Sequence, residues 1–176
     1  MINLAQNEIG NDTYCDVDWV TYSNSKCFKV LNKKAEKLKG IDLCNELDSN
    51  STLITIESDE EQDFLYKLFV ENIDISPNVW IGLELKPNET SDEVNMIIKD
   101  NVTEGEGSVY GWFNGKTIIY NNWDENADKD KQCVYMSSSG KWRDDSCGKK
   151  YLIVCQKSQW TLKSLSKEIH YLKKGC

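Results

Sequence analysis

Six cysteines between residues 15 and 155 constrain this chain more than any other feature. Cys15 and Cys27 have eleven residues between them, Cys27 and Cys44 sixteen, Cys133 and Cys147 thirteen, and Cys147 and Cys155 seven. A seventh, Cys176, stands apart. Six cysteines allow fifteen pairings, and spacing alone does not choose among them. The count does argue for an oxidising compartment, because cytosolic thiols are kept reduced. Four Asn-x-Thr sequons, at Asn11, Asn50, Asn88 and Asn101, argue the same way. A composition of 16 Asn and 8 Thr generates fewer by chance.

The spacing of apolar residues divides the rest of the chain. Residues 1–13 are polar and read as a flexible arm, residues 14–157 as one domain, and residues 158–176 as a basic extension. Alternation around Tyr22, Phe28 and Val30 predicts paired strands over 14–31. Ala35, Leu38, Ile41 and Leu43 predict a first helix over Lys33–Leu47, interrupted by Gly40. Leu53–Ile56 reads as a short buried strand. Ser58-Asp59-Glu60-Glu61 has the form of a capping box, and Phe64, Leu65, Leu68 and Phe69 continue it as an amphipathic helix over 59–72. Residues 84–109 are charged and carry two sequons, which reads as a long exposed loop. Residues 111–115 read as a turn or short strand, and 132–136, 141–143 and 151–156 as closing strands.

Several residues sit where a known family has its landmarks. Trp19 and Tyr22 lie inside Cys15-x3-Trp-x2-Tyr-x4-Cys27, Trp80-Ile81-Gly82-Leu83 forms a WIGL strand, and Trp142-Arg143-Asp144 precedes Cys147. In this order, from about residue 15 to residue 156, they resemble the long-form C-type-lectin-like domain. The resemblance implies an α+β fold with two helices packed on small antiparallel sheets and a long irregular loop region. It also implies three disulfides: Cys15–Cys27, Cys44–Cys155 and Cys133–Cys147. Trp80, Trp112, Trp123 and Trp142 are read as packing residues, with Trp112 also kept as a candidate contact.

In sugar-binding members, one Ca2+ is held by a Glu-Pro-Asn or Gln-Pro-Asp tripeptide, a Glu before the fourth framework cysteine, and the Asn-Asp of Trp-Asn-Asp. The ion needs six to eight hard oxygens, some of them supplied by the sugar. Here the nine residues between Trp123 and Cys133 contain Glu125-Asn126 but no proline, Lys131 stands two before Cys133, and Arg143 replaces the amide ligand. Only Asp144 carries over cleanly. Cations facing the ion would repel it. The expectation is therefore no cofactor, with a rearranged Ca2+ site on Glu125, Asn126, Asp128 and Asp144 as the alternative. Glu57 and Glu61 resemble positions sometimes used for a structural ion, although helix capping and solvation account for them more simply.

Other classes are disfavoured. The single histidine, His170, lies in the extension, and with six cysteines assigned to disulfides no Cys–His pair remains for nucleophilic catalysis. A net charge of −8 argues against nucleic acid. No run of 18 apolar residues would span a membrane. No leader is visible at Met1–Gln6, which suits a mature or trimmed form, secreted or cut from a membrane anchor. In the extension, Leu162, Leu165, Ile169, Leu172 and Cys176 form a heptad-like seam, compatible with a homodimer locked through Cys176.

The expectation is a glycosylated extracellular recognition module, not an enzyme, binding a glycan or protein ligand through its long-loop face without the usual calcium site. Trp112, Lys141, Arg143 and Asp144 are its candidate contacts. The rivals are a Ca2+-dependent lectin with an altered tripeptide and a receptor-blocking effector acting as a disulfide-linked dimer.

Overall fold

The computed structural model describes residues 13–23, 25–72, 77–87 and 108–161. Asn11, Asn88, Asn101, His170, Cys176 and the apolar seam of the extension lie outside them. In chain order the elements are β1 (Thr13–Tyr14), β2 (Val20–Tyr22), β3 (Lys26–Ala35), α1 (Lys37–Leu47), β4 (Thr52–Leu53), α2 (Asp59–Asn72), β5 (Val79–Pro87), β6 (Ser108–Trp112), β7 (Cys133–Met136), β8 (Trp142–Asp145), β9 (Tyr151–Ser158) and β10 (Trp160–Thr161). Two helices on mixed sheets give the expected α+β class.

Among the described residues the main sheet runs β2-β3-β9-β5-β7-β8, with β4 added to β9 and β6 to β5. β5 explains its own sequence. Val79, Ile81 and Leu83 face the cluster built on Leu65, Leu68 and Phe69 of α2, while Trp80 faces the one containing Cys44 of α1. Both faces are covered, so an unbroken apolar run suits it better than alternation. Gly82 serves contact, since a Cβ there would meet the Phe113 ring at 2.5 Å. In β9, Leu152 and Val154 take one side, Ile153 and Cys155 the other.

The three disulfides join Cys15 to Cys27, Cys44 to Cys155 and Cys133 to Cys147. The first ties the N-terminal turn to β3, the second α1 to β9, and the third β7 to the turn after β8. β10 pairs with β1 through Thr13↔Thr161 and Tyr14↔Trp160. Strand structure therefore reaches beyond residue 157 at one end and back to Thr13 at the other.

Helix α2 follows its predicted bounds, but α1 starts at Lys37 and not Lys33. Lys34 and Ala35 extend β3 against Leu152 and Tyr151, after an irregularity between Val30 and Lys34 where Asn32 has φ 49°. Pairing with a long neighbour outcompetes helix propensity there. Leu38, expected on the buried face, is 74% exposed, and Lys37, Gly40 and Cys44 are buried in its place. Gly40 does not interrupt the helix. A Cβ would meet Ile153 Cδ1 at 2.5 Å, so the glycine lets α1 lie close on β9.

Candidate functional site

β8 is an edge strand of the main sheet, and its alternation sorts the expected site residues. Trp142 points inward at 0% exposure and donates Nε1–H to Gln62 Oε1 at 2.8 Å, which fixes the strand against α2. Arg143 is exposed, and Asp144 is half-buried. The segment after Trp123 runs alongside, with Trp142 N–H donating to Asn122 C=O at 2.8 Å and Asp124 N–H to Trp142 C=O at 2.9 Å.

Asp144 organises this segment. Its Oδ1 accepts the Lys129 N–H at 3.1 Å, and its Oδ2 accepts those of Asp130 at 2.9 Å and Lys131 at 2.8 Å. Lys129 takes a left-handed φ of 57°, which lets three successive amides converge on one carboxylate as in an anion nest. A carboxylate offers about four lone-pair positions, and three are taken. The Tyr110 hydroxyl donates to Lys131 C=O at 2.7 Å, and the Lys129 ammonium lies 5.3 Å from the centre of the Trp123 ring. Burial, then the charges of Asp144 and Asp130, push the Tyr110 hydroxyl well above the usual phenol range.

The other candidate calcium donors are differently engaged. Asn126 donates its N–H to Asp124 Oδ1 at 2.8 Å, and its carbonyl faces Arg143 Nη2 at 3.5 Å. Glu125 and Asp128 are exposed. Lys131 Nζ stands 2.8 Å from Asp130 Oδ2, and this hydrogen bond holds the Asp130 carboxyl below its ordinary range. Among the described residues, no group of three or more His, Cys, Asp or Glu is arranged to hold a metal ion.

Of the candidate contacts, Arg143 and Lys141 share the outer side of β8 and its lead-in. Arg143 makes no ion pair among the described residues, whereas Lys141 Nζ donates to Asn122 Oδ1 at 2.6 Å. Neither Asp128 nor Asp130 forms an ion pair with Arg143; the hydrogen bond its guanidinium makes here is to the Asn126 carbonyl. Trp112 is corrected: at 1% exposure it packs edge-on to Trp142, ring centres 5.8 Å apart, and touches no surface.

The Glu57 and Glu61 position is also corrected. Glu61 is 2% exposed, so solvation does not explain it. Its N–H does meet Ser58 Oγ at 3.2 Å, as a capping box requires, but its carboxylate accepts from the Glu57 N–H at 2.9 Å instead of from Ser58. The Lys26 ammonium sits between the two acids, 2.7 Å from Glu61 Oε1 and 3.1 Å from Glu57 Oε1. Lys116 adds a second contact to Glu57 at 2.7 Å. Burial opposes ionisation of Glu57, but these lysine hydrogen bonds outweigh it and keep its carboxyl below the usual range. Nothing local in the sequence singled out Lys26, because its acidic partners lie some thirty residues further along the chain.

The Lectin C-type domain model matches residues 33–157. A snaclec salmorin subunit of Gloydius brevicauda is 26% identical over 162 residues, covering 89% of this chain and 92% of its own length. Human lithostathine is similar in structure with a TM-score of 0.65 at 23% identity, over 88% of this chain and 99% of that one. The cow CD23 carbohydrate-recognition domain, crystallised in the presence of a GlcNAc2Man3 oligosaccharide, gives 0.61 at 25% identity, over 84% and 98%.

Proposed function

The chain belongs to the C-type lectin domain family, and from that premise we propose that it is an extracellular recognition module that captures an acidic partner without calcium. The partner is a glycan or a protein presenting a carboxylate to the face formed by β8 and residues 122–131. Arg143 carries this reading: a planar, permanently charged donor on a strand fixed by Trp142, exposed and without an ion pair among the described residues. Lys141 is exposed beside it. Asp144, spent on three backbone amides, supports capture without Ca2+. The three disulfides support the extracellular compartment. No helix among the described residues is long and apolar enough to cross a membrane.

The test is binding of the full chain to an array of sialylated and neutral glycans and to a panel of receptor ectodomains, with Ca2+ and with chelator. Binding is expected to ignore the chelator. Arg143→Ala should weaken it by about 1–3 kcal/mol, the range of a strong interface contact, and leave melting nearly unchanged. A Ca2+ requirement would instead favour the lectin rival on Glu125, Asn126, Asp128 and Asp144. Because the salmorin relative is named as one subunit of a larger protein, pairing through Cys176 merits its own check: a reducible dimer on electrophoresis that Cys176→Ser abolishes.

A further inference from the structure

A polar cleft of about 400 Å³ is lined by Lys26 of β3, Thr52 of β4 and Gln156 of β9, with Asn50, Glu57 and Lys116. It shares no lining residue with the Arg143 face. Its size is near the lower end of the roughly 300–1,000 Å³ common for small-ligand sites. Ammonium groups, carboxamides and a carboxylate together suit a neutral ligand rich in hydroxyl and amide groups.

Asn50 is the one sequon asparagine among the described residues, and its backbone is held firmly. Its N–H donates to Asp48 Oδ1 at 2.9 Å, and the Ser51 N–H donates to Asp48 C=O at 2.8 Å. The same Asp48 carboxylate accepts Lys157 Nζ at 2.6 Å, and Lys157 is 8% exposed, so the turn is anchored to β9. The Asn50 residue itself is exposed. Its backbone thus holds a fixed place at the edge of the cleft, with the side chain open to solvent.

We propose that Asn50 carries an N-linked glycan whose first N-acetylglucosamine is seated in this cleft. Tethering brings that sugar to the cleft at an effective concentration on the order of millimolar, so contacts too weak to hold a free sugar suffice. In the joining step Asn50 Nδ2 bonds to C1 of the sugar, the bond from C1 to a lipid pyrophosphate donor breaks with its electron pair leaving on the phosphate, and one Nδ2 proton passes to base. The sequon needs the Thr52 hydroxyl, yet in the fold that oxygen is buried without a hydrogen-bond partner among the described residues. The sugar is therefore joined before β4 packs on β9. The inference depends on a secretory route, not on what the Arg143 face binds.

The experiment secretes the full chain from eukaryotic cells making high-mannose glycans, with Asn11→Gln, Asn88→Gln and Asn101→Gln so that Asn50 alone is available. Glycopeptide mass spectrometry should find Asn50 occupied. Melting is then compared for the whole glycan, the glycan trimmed enzymatically to one sugar, and Asn50→Gln, with Thr52→Val as a second way to remove the sequon. Whole and trimmed forms should melt together, about 2–4 °C above both sequon variants. In a Lys116→Ala background that gap should shrink. An unmodified Asn50, a trimmed form that melts with the sequon variants, or a gap indifferent to Lys116→Ala would each overturn the proposal.

Discussion

Lys26 holds two acids together through one ammonium, and Glu61 at 2% exposure has little water to fall back on. Removing a single partner of a buried pair typically destabilises by about 3–5 kcal/mol, because the other charge is left unpaired. Lys26→Met should fall near the low end of that range in urea unfolding, since its side chain keeps 13% exposure. Adding Glu61→Gln should recover part of the loss. If the double variant is no better than the single one, the ammonium is not what Glu61 depends on. Lys37 poses the opposite problem. It is 1% exposed, donates to Leu83 C=O at 2.6 Å, and has Glu84 only at 3.9 Å. Burial, only partly offset by Glu84, lowers its pKa from 10.5 to about 8. The unfolded chain therefore binds the extra proton more tightly between these values, and stability should rise as pH climbs from about 8 towards 10.5. Tyr110 and Tyr151, pushed upward by burial first, keep their protons in the native state where the unfolded chain loses them, so they lower stability above about pH 10 and would mask the lysine's contribution there. The window to read is thus about pH 8 to 9.5, where Lys37→Met should flatten the stability profile. An unchanged slope would mean that Lys37 is not its source.

At the scale of elements, β8 and the segment beside it form one unit because Asp144 gathers the amides of residues 129–131. Asp144→Ala leaves three donors to find water, a loss of about 1–3 kcal/mol for charge-assisted bonds. Hydrogen exchange at residues 129–131 should quicken while Val134 and Met136 in β7 stay protected. The effect should be the same with Ca2+ and with chelator; protection that appears only with Ca2+ would show the carboxylate ligating an ion. Which elements the sequence disclosed follows from the range of their determinants. Helix α2 was legible because its cap and apolar stripe lie close together in the chain. The start of α1 was not, since β9, more than a hundred residues away, pulls Lys34 and Ala35 into a strand. The exposed cation at Arg143 could be read from its strand position. The work of Asp144 and the lysine partners could not, because a chain pattern places Lys outside by default and does not show a distant Glu61 or Leu83 carbonyl.

The whole molecule is closed by Cys44–Cys155, which joins residues 111 apart, whereas Cys15–Cys27 joins residues 12 apart. In the chain-entropy account, the longer loop restrains the unfolded chain by about 5 kcal/mol and the shorter by about 3. Native packing sharpens the contrast in the same direction. Cys44 and Cys155 are both fully buried between α1 and β9, among Leu53, Trp80 and Ile153. The shorter bridge secures a turn that Lys157 also holds, contacting Asp16 and stacking 4.6 Å from Trp19, so that it stays anchored to β9. Paired serine substitutions avoid stray thiols. Cys44→Ser with Cys155→Ser should lower stability by about 2 kcal/mol more than Cys15→Ser with Cys27→Ser, a further fall in melting temperature of about 4–8 °C for a chain of this size. Equal losses would mean that the long bridge adds nothing beyond the packing around it, and that the sheet alone brings the two halves of the chain together.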